Sequence, residues 1–199
     1  MASPLVCVLK GPGGVNGIRL AVDYRYVNKY TIPDAFPVPD IQDVIQCVGK
    51  ASHTMTCDTT QGFWQTKIKQ EDQWKSAFVC NNELYEWTRT PFGMRSSGNT
   101  FCRAIQLVIN PIKSFTESYV DDLAVATDDS FHQHLQQLDT FLQTIRKSGF
   151  TLKLKKCKFA LPEVKFCGQI VGSGTRRPDP EKVAAIRRLQ IPQTKRNVR

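Results

Sequence analysis

The sequence predicts one α+β domain. Helical and strand-like patterns alternate along all 199 residues, and 41% of the residues are hydrophobic, which is enough for one core. The two C-terminal strand candidates are joined by Leu161–Glu163, a loop of hairpin length, which favours antiparallel pairing. No internal repeat or low-complexity run indicates a second unit. We therefore expect antiparallel sheets covered by helices.

Four stretches have the apolar spacing of helices. One begins after Asp40, a good capping residue, and ends near Gly49. The longest has Phe131, Leu135, Leu138, Leu142 and Ile145 on one side and ends at Gly149. The other two run from Phe101 to Ile112 and, after Asp179-Pro180, from Val183 to Leu189. We expect the apolar side of each helix to face the core.

Strand-like stretches fall between these helices. In chain order they are Leu5–Leu9, Ile18–Asp23, Thr54–Asp58, Ser76–Val79, Leu84–Thr88, Ser118–Tyr119, Leu123–Thr127, Thr151–Phe159 and Val164–Val171. A turn joins the strand at Tyr119 to the one at Leu123. We expect the last two stretches to pair with each other.

The charge is strongly segregated. Residues 1–145 hold 12 basic and 15 acidic side chains, whereas residues 146–199 hold 15 basic and 3 acidic ones. A basic excess confined to one end is typical of a polyanion-binding surface, although a solvated face explains it as well. Charge alone leaves both interpretations open.

Other classes of protein find little support in the sequence. The seven cysteines form no C-x-x-C pair and are typical of reduced thiols in an intracellular protein. His132 and His134 have no partners at metal-ligand spacing, so we expect both on a helix surface. We see no signal peptide and no apolar stretch long enough for a membrane span.

The most informative motif is Tyr119-Val120-Asp121-Asp122, in which two acids interrupt an apolar strand. A third acid, Asp58, ends another strand-like stretch. Taken singly, the acid pair suits a hairpin turn and Asp58 suits a helix cap. Carboxylates at separate strand ends can instead converge on Mg²⁺, and two ions about 4 Å apart support phosphoryl transfer.

The ordered set of motifs resembles the reverse transcriptase domain of gypsy-type LTR retrotransposons, which are relatives of retroviral polymerases. The segments that carry the resemblance are Leu20–Arg25 with Asn28-Lys29, Phe36–Pro39 with Ile41, Asp58–Gln65, Pro91–Met94 through Phe101, Tyr119–Asp122, Gly149–Leu152, Lys155–Cys157, Val164–Gly168 and Pro178–Val183. The resemblance implies a right-hand polymerase fold, with fingers, an antiparallel palm and a partial thumb. It also implies an RNA-directed DNA polymerase.

Roles in catalysis and nucleotide binding follow from the resemblance. Asp58, Asp121 and Asp122 match the catalytic triad that binds two Mg²⁺ ions, with Mn²⁺ as a substitute. The residues that match the site of the incoming deoxynucleoside triphosphate are Lys10, Arg19, Phe63, Phe92 and Gly93. Phe63 falls where an aromatic ring excludes a ribose 2′-hydroxyl. Phe92 departs from the glutamine of retroviral enzymes, and Gly11–Gly14 replace a lysine-rich fingertip.

Contacts with an RNA or DNA template and its primer also follow from the resemblance. The matching positions are Tyr119, Lys155, Lys156, Phe166, Cys167 and Gly168. The last three form the primer grip, and Cys167 stands where leucine is usual. That change is apolar and small, so we expect looser packing with the grip retained.

The resemblance divides the chain into three regions. Residues 1 to about 50 match partial fingers, 51–148 mostly palm with a fingers insertion, and 149–199 the primer-grip hairpin and the start of the thumb or connection. RNase H and integrase domains are absent from this chain, which implies a piece of a larger polyprotein. We expect an intracellular, cytoplasmic setting that includes virus-like particles.

Two other functions compete with the polymerase. A truncated, catalytically inactive nucleic-acid-binding fragment retains the motifs without activity. A phosphotransferase or nuclease on a similar scaffold explains the acids, but it explains neither Phe63 nor the basic C-terminal segment.

Overall fold

The computed structural model describes residues 2–9, 15 and 17–188. Its strands are β1 (Ser3–Leu9), β2 (Ile18–Val22), β3 (His53–Asp58), β4 (Phe78–Cys80), β5 (Glu83–Tyr85), β6 (Thr116–Tyr119), β7 (Asp122–Thr127), β8 (Lys158–Leu161), β9 (Val164–Phe166), β10 (Gln169–Gly172) and β11 (Thr175–Pro178). Its α-helices are α1 (Arg25–Tyr30), α2 (Ile41–Lys50), α3 (Ser97–Ile109), α4 (Phe131–Ser148) and α5 (Pro180–Arg187). The predicted α+β class is confirmed, and the short helix α1 is an addition to the predicted elements.

The central sheet has the strand order β6-β7-β3-β8, and all of its pairs are antiparallel. On one face, Met55 of β3 and Leu123 of β7 pack against α3 and α4 in the larger hydrophobic cluster. On the other face, Ala124 packs against α2 and the β9–β10 hairpin. Burial on both faces fixes the strand register, because a slip of one residue would exchange the two faces.

A second sheet has the order β2-β1-β4-β5. Strands β1 and β2 form an antiparallel pair from Leu5 opposite Val22 to Leu9 opposite Ile18, whereas β1 meets β4 in a short parallel pair. The buried Tyr24, which follows β2, donates its hydroxyl proton to the carbonyl oxygen of Ser76 at 2.7 Å. This bond ties the second sheet to the segment that precedes β4.

The C-terminal strands differ from the predicted pairing. Strand β8 pairs with β3 of the central sheet, whereas residues 164–171 fold back on themselves as the β9–β10 hairpin, with β11 on its outer side. The predicted hairpin of Thr151–Phe159 with Val164–Val171 is therefore wrong. Cys167 and Gly168 have φ of 47° and 75° and make a tight turn inside the stretch that the apolar pattern predicts as one strand.

The capping residues behave as predicted. The Asp40 carboxylate accepts from the backbone N–H of Gln42 at 2.7 Å at the start of α2, and Asp179 accepts from Glu181 N–H at 3.1 Å at the start of α5. Gly149 ends α4 in a left-handed conformation with φ of 77°. Leu189, which the sequence places on the last helix, lies outside the described residues.

The buried side of α4 is rotated relative to the prediction. It consists of His134, Leu138, Phe141 and Ile145, whereas Phe131, Leu135 and Leu142 are exposed. The prediction of a surface position for His134 is therefore wrong. Its Nδ1 lies 2.8 Å from the Thr127 hydroxyl of β7, a polar contact that allows burial of the ring.

A helix that crosses a membrane must be both long and apolar. Across residues 2–9, 15 and 17–188, none of them has both the length and the apolarity needed to cross a bilayer.

Candidate active site at the ends of the central strands

A two-residue turn, Val120-Asp121, connects β6 to β7, with Tyr119 paired to Asp122 across it. Val120 has φ of 56°, which is rare for a β-branched side chain because its Cβ crowds the backbone. Strand β7, which follows the turn, is paired with β3, and this pairing holds the strained turn in place. The turn therefore presents Asp121 and Asp122 at a fixed position at the end of the sheet.

The strand register brings Asp58 to the same place. Asp58 is the last residue of β3 and lies directly opposite Asp122, the first residue of β7. The backbone N–H of Thr59 donates to the carbonyl oxygen of Asp121 at 3.2 Å, and Lys153 N–H donates to the carbonyl oxygen of Asp58 at 2.9 Å. The three predicted acids are thus gathered by backbone pairing.

The three carboxylates are electrostatically frustrated. Burial, followed by the negative charges of Asp121 and Asp58, raises the pKa of Asp122 to about 6, and Lys156 opposes this rise. Adjacent carboxylates repel one another, and one cation close by does not cancel that repulsion. The strand ends therefore carry negative charge that additional cations would neutralise.

Lys156 lies on the acid cluster. Its ammonium group forms an ion pair with Asp58 Oδ2, and this contact raises the pKa of Lys156 above its ordinary value. A short 3₁₀ turn, Leu154–Lys156, positions it beside β3. The sequence resemblance places Lys156 at the primer-template, and it gives no sign of this contact with Asp58, a predicted catalytic acid.

The donor set suits hard divalent ions, because it consists of carboxylate oxygens. In the described part of the chain, no three acidic, histidine or cysteine side chains already converge in the arrangement of a bound metal ion. The ammonium group of Lys156 is paired with Asp58 Oδ2. Repulsion from Asp121 and Asp58, which adds to burial in raising the pKa of Asp122, fits a cation site, because a divalent ion would offset that repulsion.

An aromatic cavity of about 740 Å³ is lined by residues of the second sheet and by Gln61 and Trp64, from the segment that follows Asp58. Phe92 and Gly93 line it, and the half-buried Phe63 ring lies 4.9 Å from the Phe92 ring and 5.7 Å from Phe101. Trp64 and Trp87, whose rings stack at 5.7 Å, also line it. The sequence does not predict the tryptophan pair, because Trp64 and Trp87 are 23 positions apart in the chain and only the fold brings them together.

The β9–β10 turn also reaches the acids. Cys167 Sγ lies 3.9 Å from Asp122 Oδ2, and burial together with the charges of Asp122 and Asp121 raises the pKa of this thiol to about 12. Phe166 is buried in the smaller hydrophobic cluster and anchors the turn. The predicted grip residues therefore lie next to the predicted catalytic residues.

The remaining predicted residues are more dispersed. Lys10 and Gly11–Gly14 lie outside the described residues. Arg19 pairs with Val8 in β2, within the second sheet. Tyr119 packs against the smaller cluster, and Lys155 is exposed beside Lys156.

An acidic hairpin turn beside a third strand-end acid, on an antiparallel sheet backed by helices, defines the palm of a nucleic acid polymerase. The family model described as "Reverse transcriptase (RNA-dependent DNA polymerase)" matches residues 9–171. The chain therefore belongs to the reverse transcriptase family, whose members are RNA-directed DNA polymerases that use divalent metal ions. The family predicted from the sequence is confirmed.

Similar proteins include retrovirus-related Pol polyproteins of Drosophila melanogaster transposons. The chain is 32% identical to that of transposon 297 over 99% of its own length, and 33% identical to that of transposon gypsy over 87%. It spans only 19% and 17% of these two relatives. The activity, substrates and partners of a whole protein of that kind are therefore matters for proposal.

Solved structures agree in fold. The foamy viral protease-reverse transcriptase in complex with an RNA/DNA hybrid superposes over 100% of this chain and 26% of its own, with a TM-score of 0.88 and 25% identity. The foamy viral protease-reverse transcriptase dRH in complex with double-stranded DNA superposes over 100% of this chain and 34% of its own, with a TM-score of 0.88 and 26% identity. The polymerase fold predicted from the sequence is confirmed.

Proposed function

We propose that this chain extends a primer on an RNA or DNA template, by transfer of deoxynucleotides to the primer 3′-hydroxyl. The observation that carries the proposal is the register of β3 and β7, which sets Asp58 opposite Asp122 and beside the turn that holds Asp121. The β9–β10 turn contacts this acid cluster through Cys167, and the aromatic cavity is lined in part by Gln61, three residues after Asp58. A nucleotide site and a primer site would occupy these positions.

In this proposal Asp58, Asp121 and Asp122 hold two Mg²⁺ ions, for which Mn²⁺ can substitute. When bound, the ions would supply the positive charge that activates the primer hydroxyl and stabilises the phosphate oxygens. The chain's own part is to hold the three carboxylates at the strand ends through backbone hydrogen bonds. Lys156 must leave Asp58 Oδ2 wherever an ion takes that oxygen.

The incoming deoxynucleoside triphosphate would lie in the aromatic cavity. Phe63 has its ring fixed between Phe92 and Phe101, so it is suited to exclude a 2′-hydroxyl by contact. Gly93 has φ of 95° and lets the backbone turn closely against the cavity. Arg19 and Lys10 would bind the triphosphate, as the family resemblance implies.

The primer and template would cross the C-terminal half of the chain. The grip turn at Phe166, Cys167 and Gly168 contacts the acid cluster directly through Cys167, so a strand held there ends at the carboxylates. Lys156 contacts Asp58, Lys155 is exposed next to it in the chain, and Tyr119 precedes the acidic turn. These residues form the proposed primer-template surface.

The regional assignment also remains a proposal. Residues 1 to about 50 would form partial fingers, 51–148 mostly palm with a fingers insertion, and 149–199 the primer-grip hairpin and the start of the thumb or connection. The relatives are Pol polyproteins, which supports a larger protein with RNase H and integrase domains. Its proposed setting is the cytoplasm, including virus-like particles.

The decisive experiment replaces Asp121 with Asn and measures primer extension on an RNA template with Mg²⁺ or Mn²⁺. We expect extension to fall below detection while the chain still binds the primer-template, because Asn keeps the shape of the turn and loses the charge. The matched control is Asp139→Asn on the surface of α4, which should extend primers normally. Full activity of Asp121→Asn would contradict the proposal.

A second outcome separates the alternative function. If the wild-type chain binds primer-template and incorporates no nucleotide with either ion, the inactive nucleic-acid-binding fragment is the better interpretation.

A further inference from the structure

Two cysteine thiols meet where β3 lies against the segment that leads into β8. Cys57, in β3, is 2% exposed and belongs to the larger hydrophobic cluster, and the half-buried Cys157 packs against the same cluster. Both are free thiols, and each forms a side-chain hydrogen bond with the other. The sequence gives no sign of this pair, because its members are about 100 positions apart.

The pairing of β3 with β8 explains the contact. Thr56 of β3 is paired with Lys158, the first residue of β8. Two positions further along β3, Asp58 forms its ion pair with Lys156. Each cysteine lies between the two paired positions of its own segment, so the two thiols face each other. Side chains opposite each other in an antiparallel pair have Cβ atoms about 4.5–5.5 Å apart, near the spacing of up to about 4.5 Å in disulfides.

The two thiols differ in their access to solvent. Cys157 is partly exposed and meets a dissolved oxidant directly, whereas Cys57 is buried behind it. Burial raises the pKa of both thiols, so neither is a strong nucleophile at neutral pH. Bond formation between them therefore depends on their contact in the folded chain.

We propose that Cys57 and Cys157 are a redox-modification site, at which hydrogen peroxide forms a reversible disulfide. In the first step the peroxide oxidises the Cys157 thiol to a sulfenic acid and releases one water molecule. In the second step the Cys57 sulfur attacks the Cys157 sulfur, and the sulfenic hydroxyl leaves with the Cys57 proton as a second water molecule. The two thiols lose two electrons in total, and the peroxide takes them up.

The disulfide would act on the acid cluster through the adjoining residues. Asp58 directly follows Cys57, and Lys156 directly precedes Cys157, so the bond would tie together the two backbone segments that carry the ion pair. In the proposed function Lys156 must leave Asp58 Oδ2 wherever an ion takes that oxygen. Oxidation would therefore favour the lysine over the ion. This consequence rests on the proposed function, whereas the disulfide itself does not.

The test treats the folded, metal-free chain with hydrogen peroxide, removes the peroxide, alkylates the remaining thiols in urea and maps disulfides by mass spectrometry. We expect a peptide that links Cys57 to Cys157 and is lost after treatment with dithiothreitol. Cys157→Ser should abolish this peptide. The matched control Cys47→Ser, which removes an exposed thiol of α2, should retain it. Peroxide added to the chain already unfolded in urea should not favour this pair, because the contact depends on the fold.

A second measurement follows primer extension against Mg²⁺ concentration, before and after oxidation. We expect the Mg²⁺ concentration for half-maximal extension to rise about fivefold in the wild type, the lower end of usual coupling between sites, and to return after dithiothreitol. Peroxide-treated Cys157→Ser is the control for oxidation elsewhere in the chain, and its Mg²⁺ requirement should not change.

Failure of this site is distinguishable from failure of the proposed function. If Cys57 and Cys157 are both recovered alkylated after peroxide treatment, or are linked to other cysteines instead, the modification site is overturned. If the linked peptide forms and the Mg²⁺ requirement stays constant, the site stands and its effect on the acid cluster is excluded. If the reduced chain extends no primer, the proposed function fails, and the peptide map still decides the disulfide.

Discussion

Among single residues, Val120 shows how the acid cluster is built. A β-branched residue with φ of 56° is unfavourable on its own, yet Val120 lies between the last residue of β6, Tyr119, and the first acid of the turn, Asp121. The pairing of Tyr119 with Asp122 forces the backbone through this conformation. The same strand pairing therefore fixes both the strained backbone of Val120 and the position of Asp121.

The Phe63 ring is predicted to control discrimination between deoxynucleotides and ribonucleotides. Phe63→Ala should raise the use of ribonucleotides relative to deoxynucleotides at least about tenfold in primer extension, because the ring that would exclude the 2′-hydroxyl is gone. Phe150→Ala is the matched control, since Phe150 also packs on Phe101, at 6.0 Å, whereas the Phe63 ring also packs on Phe92, which lines the cavity. Unchanged discrimination in an active Phe63→Ala variant would exclude the proposed gate.

The acids could be found from the sequence because each one interrupts or ends an apolar strand pattern. Two other site features could not be found in this way. The Lys156–Asp58 ion pair joins positions 98 residues apart, and the Trp64–Trp87 stack joins the 3₁₀ turn Gly62–Gln65 to the segment after β5. A local sequence pattern does not indicate which distant segment lies opposite, so such contacts are visible only in the folded structure.

Among the elements, α4 shows why a hydrophobic pattern alone misplaced a helix face. Its buried side includes His134, a polar residue that the apolar pattern excludes from a core. Burial is possible because Thr127 of β7 provides a hydrogen-bond partner at 2.8 Å. The helix is thus rotated towards a partner that lies outside it.

His134 also predicts a pH dependence. Burial, followed by the charge of His53, lowers the pKa of His134 below its ordinary value of 6.5. The unfolded chain therefore takes up a proton as pH falls through about 6.5 while the folded chain does not, so the free energy of unfolding decreases. Urea denaturation at about pH 7.5 and 5.5 should show a smaller decrease for His134→Gln than for wild type.

The control for this prediction is His132→Gln, on the exposed side of the same helix. That variant should keep the wild-type pH dependence. An identical loss of stability in His134→Gln and wild type would show that His134 contributes nothing to it.

The C-terminal hairpin shows a different limit of sequence pattern. The apolar alternation from Val164 to Val171 continues across the turn, so it predicts one strand where the structure has two. Gly168 was the available signal, because a glycine inside a strand pattern often marks a tight turn. The residue before it, Cys167, gives no such signal in the sequence, because a φ of 47° is unusual for a residue with a side chain.

For the whole molecule, the segregated charge acquires a location. The basic segment 146–199 begins at the end of α4 and, in its described part, covers β8 to β11 and α5, around the grip turn. Three of its lysines and arginines are compensated by acids, namely Lys156, Lys165 and Arg177. The other described cations of the segment form no ion pair and are available to a polyanion.

This distribution predicts a steep salt dependence. If about five cations contact phosphates, log affinity for a primer-template duplex should fall with log salt at a slope near −4 to −5. Titrations of a fluorescently labelled duplex at increasing salt concentrations measure this slope directly. A flat response would show that the basic segment is a solvated surface with no role in binding.

The register of β3 and β7 has one further consequence, for the changes that this chain can tolerate. The acids are aligned by backbone pairing from His53 opposite Thr127 to Asp58 opposite Asp122, so most side chains along these strands can be exchanged for others of similar size. Loss or gain of one residue within either strand is different, because it moves Asp58 away from Asp122 and exchanges the buried faces of the sheet. Sequence drift in this domain is therefore open to substitution and closed to insertion and deletion at the strands that carry the acids.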